Sequence, residues 1–510
     1  MSPLKPYLLA LLSGVSLTFA YAPFNAWPVT FLATAVALRQ LAGIPHQGFR
    51  LGWLFGLGWF GAGISWVHVS IADFGGLPLI ASVGLMLLLC GYLALYPAIA
   101  FYCLKRAFPP RLWPLALPFL WFVTEWLRSW MLSGFPWLSL GYSQIDSPLG
   151  GWAPLIGESG ITALIIALSA ALACWPLRQK PVAVAALFTI CFSSGWVANQ
   201  RNWTQAADTH EVAMVQGNIA QSLRWVPEQD GPTMEKYRRL TQPLWSSDLI
   251  VWPEAAIPRV EPLAQEFLRS LDQEAVEHNS ALISGIVNYN MESREVWNNL
   301  LVLGKQSPDN PHPGYHYFHN NRYAKHHLLP IGEFVPFEDW LRPLAPLFDL
   351  PMSSFSRGDF QQTNLLANGI RLAPAICFEI AFPGQLAANV HDDTDMIITV
   401  SNDAWFGHSH GPAQHLQIAR MRAKELGKPV IRATNNGISA FIDARGDIIA
   451  RLPQFEAATL SAPLTSTLGH TPFRNWGMLA TLLLTLSLFL CAMLLEHNPL
   501  SKSGKATQAE

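Results

Sequence analysis

Three side chains that lie far apart along the chain have the types needed to break and remake an acyl bond: Glu254, Lys325 and Cys377. Cys377 closes the apolar run Arg371-Leu372-Ala373-Pro374-Ala375-Ile376, and Glu379 follows two residues on. Of the six cysteines it alone lies outside a membrane-grade apolar segment. A lone thiol in the polar part of a protein is either buried filler or a nucleophile, and its neighbours decide which. A thiol attacks a carbonyl only as thiolate, so a base must take its proton. Glu254, at the end of Asp248-Leu249-Ile250-Val251-Trp252-Pro253, is placed to be that base. The tetrahedral oxyanion that follows needs positive charge or N–H donors held in place. Lys325, in Tyr323-Ala324-Lys325-His326-His327, fits that part better than a basic one, since an unperturbed lysine titrates near about 10.4. The backbone N–H of Phe378 is a second donor, and Glu333 is close enough in sequence to orient Lys325 or relay a proton.

The elements that must position these groups are short strands. Val212 to Gln216, Leu249 to Trp252, Ala281 to Val287, Asn298 to Leu303, Leu372 to Ile376, Met396 to Val400, Val430 to Ala433 and Ser439 to Ile442 are rich in branched residues and bounded by turn formers. Met234 to Trp245, Leu263 to His278 and His415 to Leu426 have helical length and spacing, the last with Arg420, Arg422 and Lys424 on polar faces. An α/β domain with layered sheets and outer helices follows. Pro308 to Gly314 and Leu341 to Pro351 are proline-rich candidate lids.

Around this domain the composition changes. Hydrophobic residues make up 51% of the 510 and charged ones only 13%, against about a quarter charged in an ordinary soluble protein, so part of the chain belongs in lipid. About eight windows are long enough to cross a bilayer: Tyr7–Ala22, Trp27–Leu41, Leu51–Ser70, Leu79–Leu104, Leu112–Trp126, Ile161–Leu177, Pro181–Val197 and Trp476–Leu495. If each crosses, Lys5, Arg39, Arg50, Lys105, Arg106, Arg111, Arg178, Lys180, Lys502 and Lys505 share one side, which places both termini in the cytoplasm and the polar segment outside it. Arg128 to Ser159, broken by Gly and Pro but dense in Trp, reads as interfacial, with Glu125, Arg128 and Glu158 as ionisable groups that pair or snorkel. The expected division is residues 1–200 transmembrane, 201–472 catalytic, and 473–510 a last span with a tail.

Other classes fall away on composition. A net charge of −2 gives no basic footprint for nucleic acid. Five of the six cysteines sit in apolar runs, so no disulfide framework is implied. His408, His410 and His415 lack the carboxylate or thiol spacing of a metal site and read as surface or loop residues. Charges within the spans are too few for an ion pathway, which argues against a transporter or receptor.

The motifs Trp252-Pro253-Glu254, Tyr323-Ala324-Lys325 with Leu329-Pro330-Ile331-Gly332-Glu333-Phe334-Val335-Pro336, and Cys377-Phe378-Glu379 resemble the Glu, Lys and Cys signatures of the carbon-nitrogen hydrolase (nitrilase) superfamily. With the flanking spans and Gln216-Gly217-Asn218-Ile219-Ala220-Gln221 followed by Trp225, the whole chain resembles the apolipoprotein N-acyltransferase family. That resemblance implies an α-β-β-α sandwich outside the cytoplasm on a bacterial inner-membrane anchor, acting without cofactor or metal as a monomer. It implies ping-pong acyl transfer from a phospholipid, typically phosphatidylethanolamine, through a Cys377 thioester to the α-amine of a diacylglyceryl-cysteine on an apolipoprotein. Glu254 is then the base, Lys325 the oxyanion stabiliser, Glu333 and Glu379 supporting carboxylates, and Trp225, Asn402 and Trp405 substrate contacts. Phe378 stands where the family commonly has tyrosine, so a phenol has no part there. The motifs by themselves leave open a membrane-tethered amidase or nitrilase-type hydrolase with the same three residues.

Overall fold

The computed structural model describes residues 4–74, 77–175, 180–307, 314–330, 332–334 and 354–497. The candidate lids, Pro308 to Gly314 and Leu341 to Pro351, lie outside the described residues except for Gly314. The chain divides into two compact units. One comprises the described residues of Met1–Ser65, Val83–Arg201 and Trp476–Glu510; the other comprises those of Trp66–Ser82 and Asn202–Asn475.

The first unit is helical. Helices occupy all eight apolar windows, at Lys5–Ser16, Pro28–Gly43, Gly48–Gly63, Leu79–Leu93 with Leu95–Ala107, Trp113–Arg128, Ala153–Cys174, Pro181–Asn199 and Leu479–His497. Four of the described helices are long and apolar enough by themselves to cross a bilayer: Leu79–Ala107, Pro148–Cys174, Pro181–Asn199 and Leu479–His497. Lipid offers no hydrophobic drive between helices, so close contact comes from small residues. A Cβ on Gly14 would lie 2.0 Å from the Phe55 carbonyl oxygen, and one on Gly58 2.2 Å from that of Leu11, so Lys5–Ser16 and Gly48–Gly63 pack backbone to backbone. The stretch expected to be interfacial folds as a series of short 3₁₀ turns, Met131–Ser133, Leu140–Gln144 and Pro148–Trp152. Between the first two, the Arg128 guanidinium donates to the carbonyls of Phe135 and Trp137.

The second unit contains two six-stranded sheets. Its strands, in chain order, are β1 Gln205–Gln216, β2 Leu249–Val251, β3 Ala281–Tyr289, β4 Val296–Gly304, β5 Arg322–Ala324, β6 Leu365–Ala367, β7 Ile370–Ile376, β8 Met396–Ser401, β9 Val430–Thr434, β10 Ala440–Ile442, β11 Ile448–Arg451 and β12 Ala458–Leu468. One sheet runs β12-β1-β2-β3-β4-β5 and the other β11-β10-β9-β8-β7-β6. Each has three parallel neighbours, β1-β2-β3 and β7-β8-β9, flanked by antiparallel strands.

Side chains alternate across each strand, so both sheets have two faces to cover. Val212, Met214, Val251 and Ile283 from the first sheet meet Leu372, Ile376, Ile398 and Ile431 from the second in one buried layer. The opposite face of the first sheet, with Ala213, Val215, Ile250 and Leu282, packs under Met234, Tyr237, Leu268 and Leu271 of helices Pro227–Thr241 and Glu261–Glu277. Helix Gly411–Leu426 is covered on nearly every side: Arg422, expected on a polar face, is fully buried and paired with Glu425 at 3.0 Å, and Lys424 is buried too. Pairing within the protein, not solvent, meets the charge of Arg422.

One stretch from the N-terminal half also folds here. Trp66 packs edge-on against Phe406 with ring centroids 4.6 Å apart and donates to Gln414, while Ser70 Oγ donates to the Trp405 carbonyl at 2.6 Å.

Candidate active site

In sheets with parallel strands, ligands are met at the carboxyl ends of the strands. Glu254 follows β2, Cys377 follows β7 and Asn402 follows β8, while Lys325 follows β5. The topology therefore delivers residues from four strand ends of two sheets. Lys325 Nζ lies 3.6 Å from Glu254 Oε1 and 2.8 Å from Glu333 Oε2. Asn298 on β4 donates to both carboxylates, at 2.8 Å to Glu254 Oε1 and 2.9 Å to Glu333 Oε1. The other Glu254 oxygen accepts the Asn402 N–H at 3.0 Å, and Glu333 Oε2 accepts the Leu329 N–H at 2.8 Å. Both carboxylates are thereby fixed in position and in direction.

Lys325 is 2% exposed. Burial would lower its pKa, but Glu333 and Glu254 outweigh burial and hold it above the ordinary lysine value, so it is an ammonium at neutral pH. Burial pushes the Cys377 thiol up to about 12, with Glu254 adding to the rise and Lys325 and Ser401 opposing it. At rest the sulfur is therefore protonated, and thiolate forms only when a base takes the proton. Cys377 also has φ +54, a left-handed conformation that a residue with a Cβ rarely adopts. Ala255, beside Glu254, has φ +44. Strand β3 passes so close behind that turn that a Cβ on Gly285 would lie 2.4 Å from Ala255 N and 2.7 Å from Glu254 Cα.

Glu379 is buried and gathers five groups: the Tyr323 hydroxyl, the N–H groups of His326, His327 and Ile376, and the Gln385 amide. It ties the end of β7 to the segment carrying Lys325. Phe378 is buried edge-on against Phe382, centroids 5.1 Å apart. Asn402 has both ends of its amide engaged, by Gln221 at 2.6 Å and Asn435 at 3.0 Å. Trp405 is half-buried, and Trp225, with φ +68, sits beside Arg224, whose guanidinium donates to the Glu254 and Ala255 carbonyls at 2.8 and 3.0 Å.

His415 departs from its expectation as a surface or loop residue. It is fully buried, with Nε2 3.1 Å from the Cys377 carbonyl and Nδ1 3.1 Å from Asp403. His408, by contrast, is exposed. Sequence reasoning missed Asn298, whose only signal is that it opens a predicted strand. Ser401 and Asp403, by contrast, lie in Ser401-Asn402-Asp403-Ala404-Trp405-Phe406, the stretch expected to line the pocket after the predicted strand Met396 to Val400.

Residues 13–172 match the apolipoprotein N-acyltransferase N-terminal domain, and residues 211–473 match the carbon-nitrogen hydrolase domain. The apolipoprotein N-acyltransferase of Vibrio parahaemolyticus is 49% identical over 93% of this chain and 94% of its own length. That of Shewanella oneidensis is 46% identical over 95% and 94%. The chain belongs to the apolipoprotein N-acyltransferase family. Membership accounts for the pairing of a helical apolar unit with a two-sheet hydrolase-type unit in one chain. It also leaves the assignment of steps to side chains to the geometry above.

Proposed function

We propose that the protein is an apolipoprotein N-acyltransferase that works by a two-step, ping-pong exchange at Cys377. Glu254 takes the thiol proton, and the sulfur attacks an acyl ester carbonyl of a phospholipid, phosphatidylethanolamine being the expected donor. Charge moves to the carbonyl oxygen, where the Lys325 ammonium and the Phe378 N–H receive it. The C–O bond breaks, the proton held by Glu254 goes to the leaving alkoxide, and a thioester and a lysophospholipid remain. The α-amine of a diacylglyceryl-cysteine at the N-terminus of an apolipoprotein then attacks the thioester. Glu254 accepts the amine proton and returns it to the departing sulfur.

The supporting parts follow from their partners. Glu333 and Asn298 fix Lys325 and Glu254, Asn402 contributes its N–H to Glu254, and Glu379 holds the lysine segment against the nucleophile turn. Trp225 and Trp405 flank the acyl chain. Each CH₂ drawn into water would cost about 0.8 kcal/mol, so both lipid substrates are met at the bilayer surface. The eight apolar helices are spans of a bacterial inner membrane, residues 1–200 and 473–510 forming the anchor with both termini cytoplasmic. Residues 201–472 form the periplasmic catalytic domain of a monomer.

A membrane-tethered hydrolase would use the same three residues. The match of residues 13–172 to the acyltransferase N-terminal domain is the observation that carries transfer over hydrolysis. The test is mass spectrometry of the full-length protein after a single turnover with phosphatidylethanolamine. One acyl increment on Cys377, removed on adding an N-terminal diacylglyceryl-cysteine peptide but slow to leave in water, is the expected result. No adduct, or release by water at the same rate as by the peptide, overturns the reading.

A further inference from the structure

Behind the nucleophile lies a second polar group that the steps above do not use. The β7–β8 register pairs Ile376 with Val400, so Ser401 comes next to Cys377. Ser401 Oγ is 3.3 Å from Cys377 Sγ and 2.6 Å from Asp403 Oδ1. Asp403 in turn accepts from Arg432 at 2.7 Å, with His415 Nδ1 3.1 Å away, and all four side chains are buried. Burial would raise the Asp403 carboxyl, but Arg432 and His415 outweigh it and keep the group well below the usual carboxylate range. It is an anion that can only accept.

A hydroxyl has one proton to donate, and here two acceptors compete for it. While the sulfur is a thiol, the shorter, charge-assisted bond to Asp403 takes it. Once the sulfur is an anion, it competes on charge as well. Asp403 can release the hydroxyl at that moment because the Arg432 guanidinium still meets its charge. The carbonyl of Cys377 faces His415 Nε2 at 3.1 Å; a carbonyl accepts, so Nε2 carries the proton. That bond holds the left-handed backbone that aims the sulfur.

We infer that Ser401 is a further catalytic residue, a switchable donor that turns its proton from Asp403 to Cys377 whenever the sulfur is a thiolate. This rests on the reading of Cys377 as the acyl-carrying nucleophile. In the first step Glu254 removes the Sγ proton and the Ser401 hydroxyl rotates to the sulfur, keeping its own proton. As the S–C bond forms, the negative charge passes to the carbonyl oxygen and the hydroxyl turns back to Asp403. In the second step the amine forms its bond to the acyl carbon, the C–S bond breaks, and the departing thiolate again receives the hydroxyl until Glu254 returns the proton. Ser401 thus serves the sulfur both as attacking and as leaving group.

The charged or titratable groups that act on this sulfur are Glu254, Lys325, Asp403 and Arg224, with His415 on the carbonyl of the same residue. A probe of the thiolate itself isolates the hydroxyl from them. Full-length protein in detergent is pulsed with iodoacetamide from pH 6 to 10.5, and alkylation of the Cys377 peptide is read by mass spectrometry. A hydrogen bond to a charged group supports a displacement of roughly one pH unit. In Ser401→Ala the rising limb of log rate against pH should move up by that amount, about tenfold less thiolate at a given pH. Acyl-adduct formation should slow by a similar factor, and Ser401→Thr, which keeps a hydroxyl, should restore both. Ser401→Gly removes the same group without added bulk and serves if the alanine variant does not fold. A limb that stays in place in the folded hydroxyl-less protein overturns the inference, even where activity falls. Absence of the wild-type acyl adduct would instead overturn the nucleophile reading, so the two failures are distinguishable.

Discussion

The two units each set a pair of wholly or partly buried carboxyl groups near one buried cation, and the pairs have opposite fates. In the helical unit, Arg128 pairs with Glu125 at 3.3 Å, and Ser139 bridges Glu125 and Glu158. In the two-sheet unit, Lys325 stands between Glu254 and Glu333 at 3.6 and 2.8 Å. The chemical inventory is nearly the same. The difference is where the cation's donors go. Arg128 gives two bonds to the carbonyls of Phe135 and Trp137, so its charge holds a loop. The Lys325 ammonium meets only carboxylates among its described hydrogen-bond and ion-pair partners, and its charge acts on the Cys377 sulfur. A buried cation tied to backbone is structural, whereas one poised beside a nucleophile is available to a developing oxyanion.

The strongest way to break that contrast is at the sulfur. Cys377→Ala should abolish both the acyl adduct and turnover, read by intact-mass spectrometry and lysophospholipid release; residual turnover would move the chemistry elsewhere. Lys325→Met comes next, with adduct formation in folded protein expected to fall by about 10³, the scale on which an oxyanion donor acts. Arg128→Met should do the reverse. Leaving Glu125 and Glu158 without their cation should cost about 3 kcal/mol or more of stability, seen as a lower thermal midpoint in detergent. The single-turnover rate per folded molecule should stay within about twofold of wild type. A rate loss like that of Lys325→Met would erase the distinction.

A third fate sharpens the comparison. His319 is buried with neither ring nitrogen hydrogen-bonded among the described residues. Burial, aided by Arg322, lowers its pKa to about 4. Unfolded, it would take up a proton below its ordinary value of about 6.5, while the folded ring resists until about 4. Stability should be full above pH 6.5, fall as pH drops towards 4 and level off below. The contribution is on the order of 3 kcal/mol, and His319→Gln should flatten that part of the pH profile of thermal unfolding.

Much of the site was legible because strand ends are local features. An apolar run closed by a turn former announces where a strand stops: β7 stops where expected, just before Cys377, and β2 stops one residue earlier than expected, at Val251 ahead of Glu254. Length did not decide legibility: β2 and β10 have three residues each and were expected, whereas β6, also of three, gains its identity only from pairing with β7. Helix Gly411–Leu426 misled for a related reason: its charges looked solvent-facing, but Arg422 and His415 find partners inside the protein.

The sequence by itself determined that much of the chain is apolar enough for lipid, and which acid, amine and thiol are available for acyl chemistry, because composition and apolar runs are properties of contiguous residues. Tertiary structure alone decided which of two carboxyl–cation clusters faces a thiol, that Cys377 takes a left-handed backbone, and that Ser401 and Asp403 stand behind it. Those outcomes depend on sheet order and on registers between strands well separated along the chain, and hydrogen bonds acting over about 3 Å are set only when the strands have paired.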